Sequence, residues 1–142
     1  MHLHAQQVND YMEVSLEVLK TEKKAIIKEL TQLAETESAV FWPLYNDYRN
    51  NLYQVRTKRV NLIMEFADNF ENMSGEKAVE MVNSSQSIDM ELLKLAKSYA
   101  NKFMKILPAQ KTLRYLQVEN KIDALINAEL ALGIPLLELI ED

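Results

Sequence analysis

The chain has 142 residues, of which 48% are hydrophobic and 26% charged, with a formal net charge of −5, two glycines, three prolines and no cysteine. That length can bury one core without covalent staples, and the lack of cysteine excludes disulfides, thiolate metal sites and cysteine catalysis. The acidic balance argues against nucleic acid, no run reaches the roughly 20 apolar residues of a membrane span, and so little Gly and Pro favours long helices over a turn-rich β fold.

Hydrophobic spacing predicts an all-α fold of four main helices in antiparallel hairpins, thin or bundle-like, spanning roughly 8–34, 36–71, 75–106 and 108–132. In the first, Met12, Leu16, Leu19, Ile26, Leu30 and Leu33 step by three and four, with Lys23 in the missing place. In the second, Phe41, Tyr45, Tyr48, Leu52, Val55, Leu62 and Phe66 form the seam and Arg59 breaks it. Pro43 cannot take a normal place in an unbroken helix, because its ring meets the carbonyl four residues back. A kink or restart is therefore expected within Ala39–Trp42. In the third, Val79, Val82, Leu93, Ala96, Ala100, Phe103 and Leu107 keep register, interrupted by Gln86 and Asp89, and a second stripe (Met81, Ile88, Leu92, Leu95, Tyr99, Ile106) widens the face. In the fourth, Tyr115, Val118, Ile122, Leu125 and Leu132 continue the theme. Gly133 is expected to cap that helix, with Pro135 soon after. Residues 1–142 read as one domain, with 1–7 expected to be disordered and 134–142 an apolar tail.

Three junctions share a weak repeat. "LAETE" starts at Leu33, "MSGEK" at Met73 and "LPAQK" at Leu107, and apolar residues follow each start after eight and fifteen positions. The pattern is a degenerate capping box with its hydrophobic staple. Ser74 can cap through its side chain, whereas Ala34 and Pro108 cannot.

These junctions resemble the Leu-Thr-x-x-Gln motif of the LTXXQ family of Spy and CpxP. The chain is most similar to relatives carrying "FWP-Y" (Phe41, Trp42, Pro43, Tyr45), an "R-V-x-L-I" helix (Arg59, Val60, Leu62, Ile63) and "LP-x-x-K…Q-x-E-N-K" (Leu107, Pro108, Lys111, Gln117, Glu119, Asn120, Lys121). The resemblance covers about residues 10–137. It implies a periplasmic, non-enzymatic helical protein, commonly a curved antiparallel dimer, that acts as an envelope stress protein by binding protein clients or a signalling partner through a helical surface. A metal-binding or metal-responsive stress or resistance protein is the alternative. No intact Leu-Thr-x-x-Gln is present, and the acidic balance differs from the positive cradle associated with Spy. "HAQQ" near the start reads as the remnant of a signal-cleavage site, in keeping with export.

Candidate sites are few. His2 and His4 form an H-x-H pair able to ligate a transition metal, although a loose terminus explains them more simply. No cofactor is expected. Phe41, Trp42, Tyr45, Tyr48 and Tyr53 form an aromatic cluster, read as core first and as a client surface second. In the tail, Ile134, Leu136, Leu137, Leu139 and Ile140 need a cover, supplied by the bundle or by a second copy in a homodimer. Four charges stand in or beside apolar registers: Lys23, Arg59, Asp89 and Glu119. Interhelical ion pairs, such as Arg59 with Glu119, explain them better than acid–base chemistry, because no histidine base, nucleophile motif or phosphate loop accompanies them.

Overall fold

The structure, a computed structural model, describes residues 22–139. Among them are four helices and no strand: α1, helical over 22–31, α2 (Glu35–Asn69), α3 (Gly75–Ile106) and α4 (Ala109–Gly133). Residues 32–34, 70–74 and 107–108 connect them, too short for anything but adjacent, reversing neighbours.

Cross-helix contacts give the topology. Phe41 meets Phe103, Tyr48 stacks on Tyr99 and Lys58 pairs with Glu91, so α2 and α3 run antiparallel along their length. Lys23 reaches Glu119 while Arg114 reaches the Leu30 carbonyl, so α1 is antiparallel to α4. Phe41 meets Tyr115 and Arg56 reaches Asp123, so α2 and α4 run parallel. The α1–α2 and α3–α4 junctions therefore lie at one end of the bundle, here called the junction end. The α2–α3 turn lies at the distal end.

The junction end is fastened by capping. α1 stops at Gln32, the one non-glycine residue with positive φ (51°) among those described. Its exposed terminal carbonyls attract cations: Lys111 Nζ donates to the Gln32 carbonyl at 3.3 Å, and Arg114 Nε donates to that of Leu30. Lys111 also pairs with Glu37, whose carboxylate accepts the Ala34 N–H at 2.8 Å at the start of α2. One lysine thus ties three helix ends together. At the distal turn Ser74 caps α3 by accepting the Lys77 N–H at 3.0 Å, as the sequence suggested.

Two expectations are corrected. α2 runs unbroken through Pro43, with no restart within Ala39–Trp42. Proline forfeits the bond to the Ala39 carbonyl at a cost of about 3 kcal/mol, but Phe41 and Tyr45 on either side are both buried and hold the helix on course. Gly133 is the last residue of α4 rather than a left-handed cap; the cap is Ile134, whose N–H reaches the Ala131 carbonyl at 3.4 Å.

The seam of α2 is buried from Phe41 to Val55, and residues beyond it, such as Leu62 and Phe66, are only half-buried. On α1 the buried residues are Lys23, Ile27 and Thr31, while Ile26 and Leu30 are turned outward. On α3 the burial is shared between the two stripes: Ile88 and Tyr99 of the second are buried, as are Phe103 and Leu107 at the end of the first, whereas Val79, Val82 and Leu93 of the first are exposed. On α4, Tyr115 and Val118 are buried but Leu125 and Leu132 are not. A closed core thus occupies the junction half, and the distal half is open.

Candidate functional site

The closed half is built on aromatic rings. Phe41 touches Trp42, Tyr45, Phe103 and Tyr115 with centroids 4.9–5.8 Å apart, edge-on to Trp42 and Tyr115, stacked on Tyr45 and tilted against Phe103. Tyr45 and Tyr48 are 1% and 8% exposed, so neither offers a surface to a client. Trp42 is half-buried, with the Lys24 ammonium 5.5 Å from its ring. Tyr53, at 60%, is the member of the cluster that faces solvent. Burial of the rings disfavours phenolate, so the hydroxyls of Tyr45 and Tyr115 are raised well above the usual tyrosine range and Tyr48 is pushed up to about 12.

An ionic chain crosses this core. Glu119 accepts the Tyr115 hydroxyl on Oε1 at 2.7 Å and binds Lys23 Nζ through Oε2 at 2.7 Å. Lys23 lies 3.7 Å from Asp123, which binds Arg56 at 2.9 Å. The four charges knit α1, α2 and α4. The Arg59–Glu119 pair suggested by the sequence is not formed: Arg59 binds Asp89 at 2.5 Å instead. The register explains the exchange, since Arg59 lies past Val55 on the α3 side of α2, whereas Glu119 faces α1. All four flagged charges are in ion pairs, with different partners. Asp47 accepts the Tyr99 hydroxyl at 2.5 Å, Asn51 donates to the same oxygen at 2.6 Å, and Lys102 sits 4.4 Å over the ring. These contacts fix α2 to α3.

The open half holds the candidate site. In the distal half, a groove of about 430 Å³ is lined by Leu62, Ile63 and Phe66 of α2 and by Met81 and Val82 of α3. Ile134 closes one side of it, so the tail begins by folding back on the bundle. Leu137 is half-buried, but Leu136 and Leu139 remain about nine-tenths exposed. Ile140, His2 and His4 lie outside the described residues. Among the described residues no group of three or more His, Cys, Asp or Glu side chains could hold a metal ion.

The surroundings of the groove are strongly acidic. Residues 60–93 carry seven carboxylates and one lysine, Lys77, whereas residues 94–121 carry one carboxylate and seven Lys or Arg. Lys77 stands 3.5 Å from both Glu65 and Glu80, leaving Asp68 and Glu76 exposed nearby. The molecule is thus polarised along its axis, negative around the groove and positive toward the junction end. Sequence reasoning assigned Leu62, Phe66 and Met81 to the core and missed the groove; the charge segregation was the available signal.

Comparison of the chain with protein-family models, with curated proteins and with solved structures finds no match. Fold and site together define an all-α helical-hairpin protein with a closed aromatic half and an open, acidic, apolar-grooved half.

Proposed function

We propose that this is a non-enzymatic binding protein of the Spy/CpxP-like envelope stress class, taking protein clients or a signalling partner on its distal helical surface. One observation carries the reading: an apolar groove, left open in the distal half, is set among carboxylates rather than lined with convergent polar groups. Small-molecule sites combine an apolar pocket with a few polar groups that orient the ligand, and this groove has apolar walls apart from Ser85 and Gln86 at its edge. A groove flanked by two helices suits the apolar side chains of a chain segment, with i, i+3 and i+4 anchors where that segment is helical. The carboxylates select segments carrying Lys or Arg beside those anchors. A periplasmic location is the part of the proposal that rests on the motif resemblance.

The test is aggregation of a chemically denatured protein at neutral pH, followed by light scattering with the chain present in increasing ratio. Slower aggregation is expected, most clearly for cationic substrates. Unchanged aggregation at several-fold molar excess, for cationic and anionic substrates alike, sinks the reading.

A further inference from the structure

α4 stops where it does because of a proline. The proline ring disfavours the helical region for the residue before it, and Ile134, which precedes Pro135, is extended at φ −107° and ψ 115°. The helix ends at Gly133, and Ile134 is delivered to the distal groove, which it lines together with Leu62, Phe66 and Met81. Chain length lets the tail go further. From Leu62 to Phe66, α2 rises about 6 Å, and the step from Ile134 to Leu136 spans about 7 Å when extended.

The tail suits the groove in one respect and is opposed by it in another. Residues 134–142 include five large apolar side chains, of which Leu136 and Leu139 are 91% and 87% exposed. They also include three carboxylates, Glu138, Glu141 and Asp142, and no Lys or Arg. Around the groove, residues 60–93 carry seven carboxylates, and their one lysine, Lys77, already stands 3.5 Å from both Glu65 and Glu80.

We propose that the tail is the groove's own resting occupant, anchored by Ile134 and entering with Leu136, and that a partner binds by displacing it. The inference rests on the partner-binding reading of the groove and adds its regulation. Apolar attraction draws the tail in while like charge pushes it out. Ile134 at the groove with Leu136 still in water is the half-seated arrangement that this opposition produces. A segment with similar apolar anchors but Lys or Arg between them gains attraction where the tail meets repulsion, so it wins the exchange. Tethering makes even a weak occupant effective. At an effective concentration on the order of 1 mM, a tail that binds as a free peptide with a dissociation constant of about 0.1 mM lowers partner affinity about tenfold.

Fluorescence anisotropy of a labelled helical peptide made only of leucine and lysine tests it, with the native chain and the chain truncated after Gly133. Truncation should tighten binding by about tenfold with an unchanged helical circular dichroism signal. Loss of three carboxylates would by itself weaken binding of a cationic probe, so general charge attraction predicts the opposite sign. Leu136→Gln/Leu139→Gln, at two exposed positions and without a change of charge, should tighten binding several-fold. Free peptide of residues 134–142 should displace the probe from the truncated chain at about 0.1–1 mM. Equal or weaker binding after truncation, no gain in the double variant, or no displacement by the free peptide would each overturn the tail's role and leave the groove reading standing. Absence of probe binding to native and truncated chains alike would overturn both.

Discussion

Removing the ammonium of Lys23 isolates a buried carboxylate and measures what the ionic chain contributes. The side chains of Lys23 and Glu119 are 9% and 6% exposed, and their contact is 2.7 Å. In Lys23→Met the stem is replaced with little change in volume, but Glu119 keeps only the Tyr115 hydroxyl. Stripping one partner from a buried pair costs about 3–5 kcal/mol. At about 3 °C per kcal/mol for a chain of this length, the melting temperature should drop by about 10 °C. The converse variant, Glu119→Gln, should cost less, about 1–2 kcal/mol, because Lys23 still has Asp123 3.7 Å away and the amide oxygen can still accept from Tyr115. Combining the two should recover about half of the loss caused by Lys23→Met, since no buried charge is then stranded. Urea unfolding followed by circular dichroism gives all three values. A loss below about 1 kcal/mol for Lys23→Met, or a double variant no better than that single one, would refute the reasoning.

Pro43→Ala should stabilise the chain by about 1–3 kcal/mol, because α2 runs straight through this exposed position and regains a backbone bond to Ala39; a lower urea midpoint would show that the proline is structurally needed. Thr112 Oγ1 is buried without a hydrogen-bond partner, so Thr112→Val should be neutral or stabilising by up to about 2 kcal/mol, read in the same assay. Burial raises Tyr45, Tyr48, Tyr99 and Tyr115 above the ordinary tyrosine value of 10.0. Their contribution is fully present below pH 10 and is lost as pH rises through the folded-state values, because the unfolded chain releases those protons first. Tyrosinate absorbance from these four should therefore appear together with loss of helix above pH 10, and a gradual rise with the helix intact would contradict it. On the acid side the Lys111 hydrogen bond, with the Ala34 N–H, holds Glu37 below its ordinary value of 4.5. That stability is present above pH 4.5 and fades as pH falls through the lowered value, so Lys111→Met should flatten the acid limb of the stability curve.

The helix boundaries were legible because punctuation marks them: Ser74 before α3, Pro108 before α4 and the junction repeat at Leu33. The α2 seam was legible from Phe41 to Val55 because only one face of that stretch is apolar. On α3 two faces are apolar, and periodicity cannot say which one meets the bundle; the row beginning at Val79 is the outer one over much of its length. On α1 the buried Lys23 reads as a break in the pattern, although its partner on α4 makes it part of the core. Ion-pair membership was visible in charges standing in or beside apolar registers, but pairing depends on which way each helix turns, as Arg59 with Asp89 shows. The groove was hidden because a half-buried Phe66 or Met81 looks the same in sequence as a fully buried one.

The central claim is that the open distal groove receives a partner while the aromatic half only holds the fold. The variant Phe66→Gln/Met81→Gln, which makes both groove walls polar with helix-compatible residues, tests it when compared with the native chain in the light-scattering assay. Trp42, the single tryptophan and part of the closed half, reports through its emission that the core is unchanged. The account predicts native-like Trp42 emission with most of the aggregation suppression gone. Suppression equal to that of the native chain, with the core intact, would contradict it.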